Sequence, residues 1–247
     1  MTFILKTNFS NGVFGEFLLQ SNKADVVILL SGFPSNNVYD DEMSFFHDAG
    51  FHVFFLRYPG MYQSKGVFIE DGLVSPLVKS IDEIRSGSIT NLWDDKIVNF
   101  EYSRIHIITG SFGGAVALGI ADRSDIASLV LFSPVLDFSL HNSLGDEQDL
   151  SHMDSFTRKA YANCIRMPVE NIVPLLSSAK ELSGLPKIAS NVLIFHDPSD
   201  TVVSVSKSES YVNSLTSGNI NLGYKGHGLK LPLLLPFKKE IIDFLMR

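Results

Sequence analysis

The chain has 247 residues, of which 45% are hydrophobic and 19% are charged, a balance typical of a globular protein that buries a sizeable core. Its net charge of -7 comes from 27 acidic and 20 basic residues without long runs of one sign, which argues against nucleic acid as a partner. The single cysteine, Cys164, excludes an internal disulfide and fits a reducing compartment. The amino-terminal apolar run is too short for a signal peptide and no segment is long enough to span a bilayer, so we expect a soluble, cytoplasmic protein.

The first hundred residues predict strands that alternate with helices. Two strands meet at Asn11-Gly12, a dipeptide that favours a tight hairpin turn, and we expect them to form an antiparallel edge. Gly50 is suited to end the first helix. The strands are predicted at 3–6, 13–20, 25–30 and 52–56, and the helices at about 39–49 and 74–84. The segment 89–102 shows no periodic pattern and is predicted to be irregular.

A strand, a sharp turn and a helix are predicted between residues 104 and 121. A β-branched run over 105–108 suits a buried parallel strand, and small residues suited to a helix packed close to the sheet follow the turn. The turn itself reads Thr109-Gly110-Ser111-Phe112-Gly113-Gly114. The whole segment is typical of the nucleophile elbow, in which a strained backbone lifts a serine hydroxyl above the sheet.

Ser111 is therefore a candidate nucleophile. Gly113 and Gly114 provide the small neighbours that a close strand–helix approach requires, whereas Thr109 stands where the G-x-S-x-G pattern has its first glycine. An ordinary glycine-rich turn of an α/β domain would give a similar hexapeptide. The elbow alone does not decide between these two interpretations.

The remainder of the chain continues the alternation apart from one insertion. Strands are predicted at 129–132, 191–195 and 220–224, and helices at about 204–215 and 233–245. We therefore expect one α/β domain over residues 1–247, with a mostly parallel sheet covered by helices on both faces. The insertion at about 137–187 offers two amphipathic helices, which either cap an active site or only cover the core.

Three residues that could work together follow predicted strands in the order Ser111, Asp200, His227. A serine hydroxyl is a weak nucleophile near neutral pH, so it needs a histidine to accept its proton and an acid to orient that histidine. The carboxyl ends of parallel strands meet at one edge of a sheet, and this order of residues is the one expected of the α/β-hydrolase fold.

Over nearly its whole length the chain resembles the α/β-hydrolase superfamily. The resemblance rests on Ser31-Gly32-Phe33-Pro34, Tyr58-Pro59-Gly60, the elbow, the run from Phe195 to Val203 and Gly226-His227-Gly228. The elbow is similar to that of the prolyl oligopeptidase and acylaminoacyl-peptidase group, although the chain has no room for that group's propeller domain. Stand-alone relatives of this kind include esterases.

The resemblance implies a role for each member of the triad and leaves competitors. It places the acid at Asp200, in the turn after its strand, with Asp197 and Asp137 as the other carboxylates at strand ends. Of the seven histidines, only His227 lies between glycines beyond the last predicted strand. The other six have other interpretations: His106 is a strand residue of the core, His196 a hydrogen-bonding residue, His47 and His52 flank a helix end, and His141 and His152 belong to the insertion.

The resemblance also implies an oxyanion hole made of backbone N–H groups. These groups map to Phe33 and Phe112, and Gly32 would permit close approach of substrate to the first loop. Ser31 stands where many relatives have histidine. Gly32, Phe138 and Phe156 are predicted to contact substrate.

We therefore expect a serine hydrolase that acts through an acyl-enzyme on Ser111 and cleaves a small carboxylic ester. An acyl-amide or short peptide is the nearest alternative substrate, and a thioesterase or acyltransferase would use the same triad. A non-catalytic binding protein of the same fold would give no covalent adduct with a fluorophosphonate. No cofactor and no metal are expected, because no ligand cluster or phosphate-binding loop occurs in the sequence.

Overall fold

The computed structural model describes residues 3–33, 35, 38–138, 164–167, 171, 175, 179–182, 185 and 190–247. These residues form an eight-stranded sheet with helices packed against it and a separate two-stranded sheet. The α/β class predicted from the alternation of strands and helices is confirmed.

The main sheet is parallel except at one end. The strands described are β1 (Leu5–Asn8), β2 (Phe14–Leu18), β3 (Ala24–Leu30), β4 (His52–Leu56), β5 (Ser88–Thr90), β6 (Ile97–Asn99), β7 (Tyr102–Gly110), β8 (Ser128–Phe132), β9 (Asn191–Phe195) and β10 (Gly218–Asn221). Across the sheet they follow the order β1-β2-β4-β3-β7-β8-β9-β10. The pairs β1–β2 and β2–β4 are antiparallel and all other neighbours are parallel, so the predicted amino-terminal hairpin forms one edge.

The central strands are buried on both faces, which explains why their sequences are continuous apolar runs. Along β3, Val26, Ile28 and Leu30 belong to one core cluster, whereas Val27 and Leu29 belong to a second cluster on the opposite face. Successive side chains of a strand point to opposite faces. Both layers of the core therefore require apolar residues from the same strand.

The helices match most of the predicted positions. They are α1 (Asp40–Asp48), α2 (Val74–Arg85), α3 (Gly113–Arg123), α4 (Val205–Ser214), α5 (Leu231–Leu234) and α6 (Lys238–Leu245). Gly50 adopts a φ of +96° just beyond α1, a left-handed conformation that glycine adopts readily. No helix in the described part of the chain is long and apolar enough to cross a bilayer.

Several predicted elements differ from the structure. The single closing helix over 233–245 is wrong, because a 3-10 turn at Leu235–Phe237 separates α5 from α6. Pro236 lies in that turn, and proline has no N–H with which to continue an α-helix. The segment 89–102, predicted to be irregular, contributes the hairpin of β5 and β6, whose three-residue strands are too short to show a pattern. The last strand lies at Gly218–Asn221, whereas 220–224 was predicted, and the first strand lies at Leu5–Asn8, whereas 3–6 was predicted.

Most of the insertion at 137–187 lies outside the described residues. Phe156 and most of the two amphipathic helices predicted there fall in this part. Cys164 and Ile165, predicted to lie on the first of these helices, are described and are not helical: they form a turn and an isolated bridge. The described segment 164–167 is joined to the loop that follows β4 through a bridge between Met61 and Ile165.

Candidate active site

Ser111 directly follows β7 and precedes α3. Its φ is 52°, a left-handed value that residues other than glycine rarely adopt. The Ser111 N–H donates to the carbonyl of Phe132 at 3.0 Å, and its own carbonyl accepts from the N–H groups of Gly114 and Val135 at 2.9 Å each. These bonds hold the strained backbone, as a nucleophile elbow requires.

Small residues make the elbow possible. A Cβ atom on Gly113 would lie 1.9 Å from the hydroxyl oxygen of Thr109, and one on Gly114 would lie 2.5 Å from Cβ of Pro134. The Thr109 hydroxyl donates to the carbonyl of Leu30 at 2.8 Å. The elbow therefore tolerates a threonine in place of its first glycine because residue 113 leaves room for the side chain.

The structure brings Ser111, His227 and Asp200 into contact. Asp200 lies in the loop after β9 and His227 in the loop after β10. Nε2 of His227 is 2.9 Å from Oγ of Ser111, and Nδ1 of His227 is 2.8 Å from Oδ2 of Asp200. The three side chains form a continuous chain of hydrogen bonds at the carboxyl edge of the sheet.

The Asp200 carboxylate is buried, with 1% of its side chain exposed, and both of its oxygens accept hydrogen bonds from the protein. Its Oδ1 accepts from the N–H groups of Val202 at 2.7 Å and Val203 at 3.1 Å, which leaves Oδ2 facing the imidazole. Burial alone would raise its pKa, but the hydrogen bonds from His227, Val203 and Val202 outweigh burial and lower the pKa to about 2. Asp200 is therefore ionised at neutral pH.

The two competing carboxylates occupy other positions. Asp197 accepts from Ser199 through Oδ1, and through Oδ2 from the N–H of Gly226 at 2.9 Å. The Ser199 backbone N–H is the main cause of its lowered pKa. Asp197 thus binds the backbone next to His227, whereas Asp200 binds the imidazole ring. Asp137 is buried beyond the end of β8.

The buried histidines away from Ser111 have structural partners. His196 contacts the Ser208 hydroxyl and the carbonyl of Val203 through its two ring nitrogens, at 2.9 Å each, and burial lowers its pKa. His106 lies within β7, 2.7 Å from the hydroxyl of Ser128, and burial lowers its pKa as well. His52 also makes hydrogen bonds through both ring nitrogens. His141 and His152 lie outside the described residues.

The residues predicted for the oxyanion hole and the substrate contacts lie beside the elbow. Phe112 immediately precedes α3, in whose first turn the N–H groups have no acceptor within the helix. A Cβ atom on Gly32 would lie 3.4 Å from Cβ of Ser111, so the loop after β3 passes next to the nucleophile. The ring of Phe112 packs against those of Phe33 and Phe138, with centroids 5.5 and 5.2 Å apart. The three rings are fully buried and belong to the core beneath the elbow, while the predicted contact Phe156 is not among the described residues.

Sequence reasoning missed a set of tyrosines around the loop after β3. Tyr58 and Tyr62 donate their hydroxyls to backbone carbonyls of this loop. The only signal in the sequence was Tyr58-Pro59-Gly60, which carried the resemblance but indicated no role for the ring. Within the described ranges, no three His, Cys, Asp or Glu side chains are grouped as metal ligands would be.

Solved structures with the same architecture classify the chain. An α/β superfamily hydrolase from Oenococcus oeni PSU-1 superposes with a TM-score of 0.66 at 15% identity, over 98% of this chain and 98% of the other. The chain has the α/β-hydrolase fold. The esterase EaEST from Exiguobacterium antarcticum superposes with a TM-score of 0.65 at 15% identity, over 100% of this chain and 98% of that one. Est1E from Butyrivibrio proteoclasticus, solved with ferulic acid bound, gives a TM-score of 0.65 at 14% identity over 97% of both chains. No family model and no curated protein matches the sequence.

The closeness of Gly32 to the elbow gives a prediction. At 3.4 Å from Cβ of Ser111, a methyl group at position 32 makes an ordinary van der Waals contact, so Gly32→Ala should fold with an unchanged melting temperature. The same methyl group would occupy space beside the nucleophile, and displacements of about 1 Å at a reacting centre cost about a hundredfold in rate. We expect kcat/KM for p-nitrophenyl acetate to fall at least tenfold. Gly218→Ala, at the start of β10 where φ is not positive and an added Cβ would lie 3.2 Å from the Leu215 side chain, is the control for the effect of an added methyl group on turnover.

Proposed function

We propose that the protein is a serine hydrolase that cleaves a small carboxylic ester through an acyl-enzyme on Ser111. The observation that carries the proposal is the hydrogen-bonded chain from Asp200 through His227 to Ser111 at a strained elbow. Each of these residues has the chemistry that its position requires. A fold without this constellation would support no such proposal, because one fold serves many functions.

The proposed reaction begins with proton transfer from the Ser111 hydroxyl to Nε2 of His227 as Oγ attacks the ester carbonyl. Asp200, ionised at neutral pH, accepts a hydrogen bond from the Nδ1–H group of His227. This bond holds the imidazole with Nε2 facing the serine. The imidazolium then donates its proton to the alkoxy oxygen of the tetrahedral intermediate as the C–O bond to that oxygen breaks, which releases the alcohol and leaves the acyl group on Ser111. A water molecule, activated in the same way by His227, hydrolyses the acyl-enzyme and restores the serine.

The negative charge that develops on the carbonyl oxygen needs hydrogen-bond donors that are already in place. The backbone N–H groups of Phe33 and Phe112 are the proposed donors. Two observations support them: the loop after β3 lies beside Ser111, and Phe112 precedes the first turn of α3. Loss of one such donor costs about a hundredfold to a thousandfold in rate in other serine hydrolases.

The proposed substrate class follows from the esterases whose fold this chain shares. They favour an ester over an amide or a peptide as the substrate. We also propose that the insertion at 137–187 caps the site, because the N–H of Tyr62 donates to the carbonyl of Cys164 at 2.7 Å, next to the loops that surround Ser111. We also propose that residues 1–247 form a single domain and that the protein works in the cytoplasm, a reducing compartment.

Covalent labelling tests this function directly. The intact protein is incubated with a fluorophosphonate and its mass is measured by mass spectrometry. The variants Ser111→Ala and His227→Ala are treated in the same way, with Ser133→Ala as a control. We expect one adduct on the parent and on the control and none on the other two variants. A well-folded parent that acquires no adduct would contradict the proposal and favour a binding protein of the same fold.

A further inference from the structure

The position of the loop after β3 decides whether the proposed oxyanion hole works, since Phe33 contributes its backbone N–H from this loop. We propose that the hydroxyl groups of Tyr58 and Tyr62 are positioning groups that fix this loop against the elbow. The inference rests on the proposed function and deepens it, because it names residues outside the triad on which the reaction depends.

The side chain of residue 31 does not anchor the loop. Ser31 is fully buried, and its hydroxyl has no hydrogen-bond partner within the described part of the chain. Its backbone carbonyl instead accepts a hydrogen bond from the hydroxyl of Tyr58 at 2.7 Å. Tyr58 is also fully buried, and burial raises its pKa well above the ordinary value of 10.0, so its phenol stays protonated and available as a donor.

A second tyrosine holds the other end of the loop. The hydroxyl of Tyr62 donates to the carbonyl of Ser35 at 2.9 Å. The hydroxyl of Tyr39 is hydrogen-bonded to the backbone of Gly32 and to the side chain of Ser35. Hydroxyl groups from two different segments thus bind the backbone on both sides of Phe33.

The segment that carries Tyr58 and Tyr62 is itself fixed. The guanidinium of Arg57 pairs with the Glu16 carboxylate on β2 at 2.7 Å. The hydroxyl of Ser64 donates to the carbonyl of Arg57 at 2.8 Å and accepts from the N–H of Phe14 at 2.9 Å. These contacts attach the tyrosines to the main sheet, and a catalytic group supported by locked neighbours keeps its geometry during the reaction.

The contact between Tyr58 and Ser31 places the loop relative to Ser111. Tyr58 also packs its ring against Phe112, the residue of the second proposed donor, with centroids 5.5 Å apart. The same side chain therefore contacts both halves of the oxyanion hole. Removal of its hydroxyl would leave the packing in place but release the carbonyl of Ser31, and shifts of about 1 Å at a reacting centre cost about a hundredfold in rate.

The test measures Tyr58→Phe and Tyr62→Phe with p-nitrophenyl acetate as substrate and an alkyl trifluoromethyl ketone as an inhibitor whose adduct carries the oxyanion. We expect Tyr58→Phe to lower kcat between about tenfold and a hundredfold with KM within about twofold of the parent. The inhibition constant of the ketone should rise by the same factor as kcat falls, because both depend on the oxyanion hole. Tyr102→Phe, on β7 and away from the elbow, is the matched control and should leave both values unchanged.

Unchanged kcat and inhibition constant in both tyrosine variants would overturn the inference, as would a loss confined to KM. A Tyr58→Phe variant that fails to fold leaves the decision to Tyr62→Phe, whose side chain is only half-buried. Failure of the proposed function gives a different result, because the parent itself would then take up no fluorophosphonate on Ser111. Normal labelling of the parent with unaffected tyrosine variants would therefore contradict the positioning role alone.

Discussion

Replacement of Ser111 by alanine is expected to lower kcat for ester hydrolysis by about 10⁴-fold or more, as loss of the nucleophile does in other serine hydrolases. The reason is that Oγ of Ser111 is the atom 2.9 Å from Nε2 of His227, so its removal leaves the histidine with no hydroxyl to activate. Release of p-nitrophenol from p-nitrophenyl acetate, corrected for spontaneous hydrolysis, measures the effect.

The variant should fold like the parent. Alanine at position 111 keeps the φ of 52° at a similar conformational cost, and the backbone bonds of the elbow to Phe132, Gly114 and Val135 do not involve the hydroxyl. We expect a melting temperature within a few degrees of the parent value, about the range for a change that removes no buried packing.

Ser133 provides a matched control for Ser111. It is also a buried serine with a positive φ, 45°, and it follows the end of the neighbouring strand β8. Its hydroxyl lies 3.4 Å from the carbonyl of Gly226, whereas that of Ser111 contacts the His227 ring. Ser133→Ala should therefore keep kcat within about tenfold of the parent. Full activity of Ser111→Ala, or equal losses in the two variants, would contradict the role of Ser111.

The elements that place the triad were predictable because their signals are local. A β-branched run followed by glycines indicated β7 and the turn at Ser111, and parallel strands gather the loops that follow them at one edge. Asp200 and His227 could therefore be nominated from their places after predicted strands. The distances between them came only from the structure, since spacing along the chain says nothing of side-chain orientation.

The contacts of the tyrosines could not be predicted in this way. Tyr58 and Tyr62 each bind a carbonyl 27 residues earlier in the chain, and no periodicity marks such a long-range bond. The carbonyl belongs to the backbone, so the residue type at its position gives no signal either.

The closing helix was predicted as one element because the apolar pattern continues across Pro236, but the α-helical backbone hydrogen bonding does not.

Asp200→Asn is expected to lower kcat by about 10³-fold to 10⁴-fold, the effect of the corresponding change in other Ser-His-Asp enzymes. The structure gives a specific reason. Oδ1 of Asp200 accepts from the N–H groups of Val202 and Val203, so the amide oxygen of an asparagine would take that place and its NH₂ group would face the imidazole. Nδ1 of His227 would then have to accept a hydrogen bond, the proton would reside on Nε2, and the histidine could no longer accept the proton of Ser111.

Asp197→Asn is the matched control, because this carboxylate binds the N–H of Gly226 rather than the ring of His227. We expect its kcat to stay within about tenfold of the parent. A larger loss in Asp197→Asn than in Asp200→Asn would assign the orienting acid to Asp197 and contradict the proposed triad. The measurement is kcat for the same ester at pH 7.

The pH dependence of stability gives an independent measure of the Asp200 carboxylate. Its pKa is about 2 in the folded protein, against an ordinary value of 3.8 that applies when the chain is unfolded. A lowered pKa stabilises the folded state above the unfolded value, and this contribution, about 2 kcal/mol, is lost as the pH falls from about 4 through about 2. Asp200→Asn lacks the titrating group, so the free energy of unfolding of the parent should decline more steeply than that of the variant over this window. Urea unfolding of both proteins at pH 5, 4 and 3 measures the difference, and parallel declines would show that Asp200 is not held ionised by His227 and the backbone of Val202 and Val203.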